Sequence, residues 1–259
     1  MKKLVKPIFA FVFLLLSITA TAQLKTYSVK NAHSHNDYLN STPFYLAFKT
    51  GFGSIEADVF PVNGILYVAH NKKDIQPKNT LKDLYINPLL KEFISNGPRK
   101  LSLLIDVKEN YPVALSLLIK ELEPLQQYFF TLEKPGDLTI ILTGSGPAPG
   151  DYKNYPDFIF FDDNLKQQHT EDQWRRIALV SLPFYKLSGW KAEAKFKHKD
   201  KKVVRHIIDS VHAAGKPIRF WAAPDNELSW KWQMRLRADL IGTDKINELS
   251  GFLRKENNN

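Results

Sequence analysis

Between Asn31 and Lys73 the chain gathers His33, His35, Asp37, Glu56, Asp58 and His70, side chains that can carry protons or hold cations. Each lies at or just past the end of an apolar run that reads as a strand, which is where an α/β protein keeps its chemistry. In the run SIEADVF, Ile55, Ala57 and Val59 alternate with Glu56, Asp58 and Phe60, so the two carboxylates share one face of a strand. Paired carboxylates are unfavourable unless a cation or a shared proton neutralises them. Asn63-Gly64 is a two-residue hairpin signal that folds Ile65 to Ala69 back along this strand and returns His70 to the carboxylates. A polar strand face paired with lysines and arginines is the plain alternative at this point, and His33 or His70 taken singly would read as an ordinary satisfied histidine.

The elements that must position these groups follow a regular order. Thr26 to Ala32 reads as a first strand, and Ser41-Thr42-Pro43 as the start of a helix that Gly51 ends. Thr80 to Asp83 is a capping pattern before an apolar segment that Pro88 interrupts. Leu101 to Val107 is apolar on both faces, as a buried parallel strand should be, until Asp106 and Lys108 appear at its end. Further strands are expected at Leu138 to Leu142, Phe158 to Phe161, Ile177 to Leu182, Ile218 to Trp221 and Asp239 to Thr243. Helical patterns separate most of them, including the stripe Val203, Val204, Ile207, Ile208 and Val211. His206 and His212 on that helix do not share a face and are read as surface or core residues. Eight strands in this order fit a single α/β (β/α)8 TIM barrel better than an open sheet. Trp221 closes the seventh strand, where an aromatic wall could hold a headgroup or glycerol; Trp230 and Trp232 follow, two apart.

The first 22 residues have the form of a signal peptide: Lys2, Lys3 and Lys6, an apolar stretch from Ile8 to Ile18, and Ala20-Thr21-Ala22 before Gln23. The apolar run is short for a membrane span, so export to the periplasm or beyond is the expectation, with residues 23–259 forming the barrel. The chain has no cysteine, which excludes disulfides and a lipidated cleavage site. Its formal charge of +9 favours anionic ligands or surfaces in a general way. That charge is no argument for nucleic acid, because the stretch Lys191 to Lys202 carries much of it.

AHSHN at Ala32 to Asn36, IEADV at Ile55 to Val59 and the later His70 resemble the opening of the phospholipase-C-like phosphodiesterases, (β/α)8 barrels that include glycerophosphodiester phosphodiesterases and sphingomyelinase D. The runs HSHNDY, SIEADVF, LYVAHN and LYINPLL are similar to the branch named for altered inheritance of mitochondria protein 6, and RFWAAPDN and DLIGTDK resemble its late motifs. Little between Gly144 and Lys202 matches. The resemblance implies a metal-dependent phosphoric diester hydrolase acting on glycerophosphodiesters or phospholipid headgroups. It makes Glu56, Asp58 and Asp106 the metal ligands, Lys108 and Asn36 phosphate-facing groups, and His33 and His70 the acid and base. Ligands that are all oxygen suit Mg²⁺ or Ca²⁺ better than zinc. His35, extra to the plain motif, could orient Asp37 or ligate the ion, and a supporting place behind the ligands is the preferred reading. A small-molecule or lipid diester is the expected partner, with peripheral contact to a membrane surface and no nucleic acid. Two other readings compete: a binding module that keeps the barrel without catalysis, and a histidine-rich multinuclear hydrolase built on His33-x-His35. The latter lacks further histidines at later strand ends.

Overall fold

The computed structural model describes residues 26–257, so the expected signal peptide lies outside the described residues. Eight parallel strands run β1 (Ala32–Ser34), β2 (Ser54–Val62), β4 (Leu101–Val107), β5 (Leu138–Gly144), β6 (Ile159–Asp163), β7 (Ile177–Pro183), β8 (Ile218–Trp221) and β9 (Ile241–Thr243). They are hydrogen-bonded in the order β8-β7-β6-β5-β4-β2-β1-β9. A parallel bridge between Arg219 and Leu240 and a bond from the Asp239 amide to the Ile218 carbonyl (2.8 Å) bring β8 to the approach of β9 and nearly close a (β/α)8 barrel. Asp239 strengthens that seam: its Oδ2 accepts from the Ile218 amide at 2.9 Å and lies 2.7 Å from His212 Nε2. His212, expected only to be surface or core, therefore clasps the last strands, while His206 is exposed.

The hairpin is formed as expected. Asn63 (φ 49) and Gly64 (φ 79) are both left-handed, the backbone of a type I′ turn. They return β3 (Ile65–Val68) antiparallel along β2, outside the barrel order. Helices surround the strands: α1 (Tyr45–Thr50), α2 (Asn87–Asn96), α3 (Tyr111–Leu122), α4 (Glu171–Arg175), α5 (Phe184–Leu187), α6 (His198–Ala213), α7 (Glu227–Leu236) and α8 (Ile246–Asn257). Between β5 and β6 a 3₁₀ turn, Pro149–Asn154, replaces a helix, in the region where the sequence matches least.

Three local expectations need correction. The first strand is Ala32–Ser34 rather than Thr26 to Ala32, because Ser28 and Asn31 form a capping box that winds Val29–Asn31 into a 3₁₀ turn. The first helix begins at Tyr45, not at Pro43: Phe44 enters it at φ 62, held by its amide's bond to Asp37 Oδ2. Pro88 does not interrupt a helix. The chain stays helical from the π turn at Lys82–Ile86 into α2, where Pro88 lies, and Thr80 Oγ1 accepts from the Asp83 amide at the start of the run.

Strand alternation sets the height of the site. Leu104, Ile141, Phe160 and Leu179, one from each of β4 to β7, form a buried apolar cluster apart from the main core. Two residues further along the same strands, on the same face, stand Asp106, Thr143, Asp162 and Ser181. The barrel therefore has an apolar floor capped by a polar layer at the C-terminal ends of its strands. The intervening residues Leu103, Ile105, Ile140 and Leu142 face the helices in the main core.

Gly144 ends β5 at φ 75, and a Cβ there would fall 2.0 Å from Asp106 Oδ1 and 2.6 Å from the Val107 carbonyl. Gly64 has a similar φ with nothing within 4 Å. Gly64→Ala is expected to lose about 1 kcal/mol from backbone strain alone. Gly144→Ala should lose roughly 2–3 kcal/mol, because the same strain is joined by a clash that must displace Asp106. Urea denaturation of the two variants checks the difference; equal losses would mean that Asp106 is not held by the close approach.

Candidate active site

The acidic centre is built on two adjacent strands. Glu56 and Asp58 project inward from β2, where they are 4% and 3% exposed, and Asp58 is in register with Asp106 of β4. One oxygen from each of Glu56, Asp58 and Asp106 lies within 4.8 Å of the other two, close enough for one coordination sphere. Three like charges this close require compensation, and two cations supply it. Lys108 Nζ reaches Asp58 Oδ2 at 2.7 Å and Asp106 Oδ2 at 2.5 Å. Arg219, 4% exposed on β8, donates from Nη1 to Glu56 Oε2 at 2.7 Å and from Nε to Ser181 Oγ at 2.7 Å.

These pairings set the protonation states. Burial alone would raise Glu56, but the Arg219 charge and the His33 hydrogen bond outweigh it and hold the carboxyl well below its ordinary range. For Asp106 burial wins over Lys108 and the pKa is raised. Lys108 keeps its proton above the usual range because its bonds to both aspartates outweigh its own burial. Asp162, further round the polar layer, is pushed up to about 7 by burial; Thr143 donates to its Oδ2 at 3.0 Å and Oδ1 has no partner.

The histidines divide sharply. His33 is fully buried: Nδ1 lies 2.8 Å from Ser54 Oγ, and Nε2 lies 2.6 Å from Glu56 Oε2 and against Arg219 Nη1. Either neutral tautomer therefore engages both ring nitrogens with protein, and burial together with the Arg219 charge lowers its pKa to about 4. His35, just past the end of β1, has a side chain 40% exposed and faces the main cleft. Its Nδ1 lies 2.8 Å from Asp244 Oδ1, which turns Nε2 away from the protein. Burial works to lower His35, yet the hydrogen bond to Asp244 and the charges of Glu56 and Asp244 prevail and raise its pKa. His70 also lines the cleft, 56% exposed, with Nδ1 3.4 Å from Asp58 Oδ2. The hairpin brings it there, since the Ala69 amide bonds the Asp58 carbonyl at 3.2 Å.

The remaining expected residues also have definite places. His35 does not orient Asp37, whose buried carboxylate instead accepts from Ser34, Tyr85 and the Phe44 amide and fixes the loop after β1. Asn36 stands in the left-handed region (φ 47), donates to Asp244 and accepts from Tyr38, so its amide ties the His35 side of the site to the Asp58 side. Trp221 is 40% exposed and lines the cleft, in edge contact with Tyr185 at 5.6 Å between ring centroids. Trp230 is buried, and its Nε1 donates to Asp225.

Sequence reasoning missed Arg219, Tyr38 and Asp244. Arg219 could have been found, because alternation from Trp221 places it on the inward face of an otherwise apolar strand. The Tyr38 hydroxyl lies 2.7 Å from Asp58 Oδ2 and 3.3 Å from His70 Nδ1, and burial and the Asp58 charge keep its phenol protonated. The main cleft, which Arg219 lines, measures about 1130 Å³, with its outer walls formed by the loops after β5, β6 and β7.

Residues 22–99 match the AIM6-like phosphodiesterase domain. The chain is 28% identical over 266 residues to the altered inheritance of mitochondria protein 6 homolog of Arthroderma benhamiae, an alignment covering 85% of this chain and 82% of that one. It is 27% identical over 303 residues to altered inheritance of mitochondria protein 6 of Kluyveromyces lactis, covering 86% and 72%. The structure is similar to a glycerophosphodiester phosphodiesterase from Parabacteroides distasonis (TM-score 0.57, 14% identity, 88% and 98% covered). A calcium-dependent phosphoinositol-specific phospholipase C from a Pseudomonas species is comparable (TM-score 0.56, 13% identity, 85% and 91% covered). The chain is thus similar to the altered inheritance of mitochondria protein 6 proteins over most of its length and to the AIM6-like phosphodiesterase domain over residues 22–99, and it shares the barrel fold of these two solved structures.

Proposed function

We propose that the cleft hydrolyses a phosphodiester of the glycerophosphodiester or phospholipid-headgroup class, with a divalent cation, Mg²⁺ or Ca²⁺, held by Glu56, Asp58 and Asp106. The observation that carries this reading is a set of three carboxylate ligand atoms within 4.8 Å of one another, two of whose residues, Glu56 and Asp106, line the same cleft as the imidazoles of His35 and His70. The donor set is all oxygen, which favours a hard cation. Charge also fits. Three carboxylates against Lys108 and Arg219 leave one negative charge; a divalent ion reverses it to one positive, which a phosphodiester monoanion cancels. The ion, when bound, polarises a phosphoryl oxygen and orients the diester.

The chain's own groups then do the following. Lys108 offers an ammonium beside the phosphate. His35 and His70 face the cleft and exchange the proton, one taking it from the attacking hydroxyl and the other giving it to the leaving oxygen. Asp244 orients His35 and keeps a proton on it, which favours His35 as the acid. His33 takes a different part from the one the family resemblance implies: with both nitrogens engaged by protein, it braces Glu56 from below. Trp221 and Tyr185 form the aromatic side of the headgroup pocket.

His35→Gln is expected to lower kcat by about 10²–10⁴, the usual contribution of an acid or base. His33→Gln should chiefly weaken divalent binding and thermal stability, because it leaves Glu56 less well braced. Steady-state kinetics on glycerophosphodiesters and a chromogenic diester, alongside calorimetric titration of Ca²⁺ and Mg²⁺, separate the two. Full activity in His35→Gln with a dead His33→Gln would return the role to His33. Chelation should abolish turnover, and turnover that persists in chelator would remove the metal-dependent reading altogether.

The pH profile gives an independent test. A histidine with a raised pKa holds its proton to higher pH, so an acid role is kept below that pKa and lost as pH rises through it. Asp244→Asn removes the carboxylate that bonds and charges His35, leaving only the Glu56 charge to raise it, and should move the alkaline limb of kcat to lower pH. An unmoved limb would show that the His35–Asp244 pair does not govern turnover.

A further inference from the structure

We propose that the rim of the cleft is a docking surface for a lipid bilayer carrying anionic headgroups. Four of the large apolar side chains exposed on the described residues, Leu39, Leu165, Tyr185 and Trp221 (71%, 44%, 53% and 40% exposed), stand at the C-terminal mouth of the barrel: Leu39 ends a 3₁₀ turn after β1, Leu165 is in the loop after β6, Tyr185 is in the short helix α5 directly after β7, and Trp221 ends β8. Two sit at strained backbone. Leu165 itself is left-handed (φ 59), a conformation unfavourable for a leucine, with its amide held by Asp163 Oδ1 at 2.7 Å; Ala222, directly after Trp221, is also left-handed (φ 51). A loop free of other demands would place glycine or asparagine there, so the geometry fixes apolar tips in an outward pose at the mouth.

Basic side chains share that face. Exposed Lys166 and Lys186 line the cleft beside Leu165 and Tyr185, and Lys73 follows His70 on the far side, while its neighbour Lys72 is paired with Glu109. The loop between α5 and α6 lies at the same end of the barrel, because it follows β7, and it exposes Lys191, Lys195 and Lys197 against the single acid Glu193. This segment is braced by Trp190 stacked on Phe196 at 4.4 Å. Apolar tips ringed by ammonium groups match the interface of an anionic bilayer, where rings sit at the headgroup level and lysines meet lipid charge. No helix among the described residues is long and apolar enough to cross a membrane, so the described contact is peripheral. The inference goes beyond the proposed hydrolysis, and its test does not require turnover.

The test is co-sedimentation of the purified chain, in chelator, with phosphatidylcholine vesicles containing or lacking about 30% phosphatidylglycerol. Binding is expected to the anionic vesicles and to fall with salt. Lys166→Glu with Lys186→Glu should weaken it at least about tenfold. Leu165→Ser with Tyr185→Ser should weaken it at either salt, whereas Leu132→Ser with Lys134→Glu, at the opposite end of the barrel, should leave it unchanged. Brominated lipid should quench tryptophan emission in the parent and less in Trp221→Phe. Equal partitioning onto neutral vesicles, or equal losses from the control pair, would overturn the proposal. So would full release by soluble glycerophosphoglycerol, which would mean that the cleft grips a headgroup and the rim does not dock. Because chelator silences the proposed hydrolysis, binding here with no activity elsewhere would refute only the catalytic reading.

Discussion

Three carboxylates share a space narrower than 5 Å near the mouth of the barrel, and the surrounding architecture answers to their repulsion. An uncompensated buried charge costs several kcal/mol, a large part of the roughly 5–15 kcal/mol that holds a domain together. Lys108, just past the end of β4, relieves two of the three, Asp58 of β2 and Asp106 of β4, whereas Glu56 depends on Arg219, which crosses from β8. That ion pair spans the barrel beside its seam, where β8 meets the approach to β9 through only a few backbone bonds. The acidic centre and the closure of the sheet therefore support one another. The arrangement also makes Arg219 more than a counterion, because Ser181 fixes its Nε and so fixes the direction from which the charge arrives.

Alternation along the strands decides how deep the chemistry lies. The apolar layer of Leu104, Ile141, Phe160 and Leu179 keeps water from the base of the barrel, and the next inward layer carries every group that needs a partner or a ligand. A shift of one residue in any of these strands would turn its polar group toward the helices and a core residue toward the cleft. The close approach of Gly144 to Asp106 is one place where this register is fixed by sterics rather than by hydrogen bonds alone.

Much of this was legible because it is local. The Glu56–Asp58 face, the Asn63-Gly64 turn that returns His70, and the Asp106–Lys108 strand end are each contained within a few residues, and their geometry follows from period two and turn chemistry. The barrel itself was readable from the order of apolar runs. Apart from Tyr38, which reaches Asp58 across 20 residues, what escaped depends on contacts across 160 to 210 residues of chain: Arg219 with Glu56, and His35 with Asp244. No spacing rule brings such pairs together before the barrel is closed. The first strand was placed too early for the opposite reason. A short-range side-chain bond, Ser28 with Asn31, won over strand propensity in a segment with few partners in the sheet.

The dipeptide spacing in His33-x-His35 shows how one geometric rule yields two different imidazoles. Both histidines point inward, but two residues of strand rise separate them by about 6–7 Å. The lower one falls level with Ser54, just below Glu56, where neighbouring strands enclose it and every ring nitrogen meets protein; the upper one reaches the mouth, where the strand has ended and Asp244 and Asn36 hold its Nδ1. A group in the first position can fix a ligand but cannot approach a substrate without breaking its own bonds. One in the second position is oriented yet free at Nε2, as proton transfer requires. Sequence similarity equates residues by type and order, and on that basis the earlier histidine takes the catalytic place. Burial separates the two, and it gives the exposed nitrogen to His35.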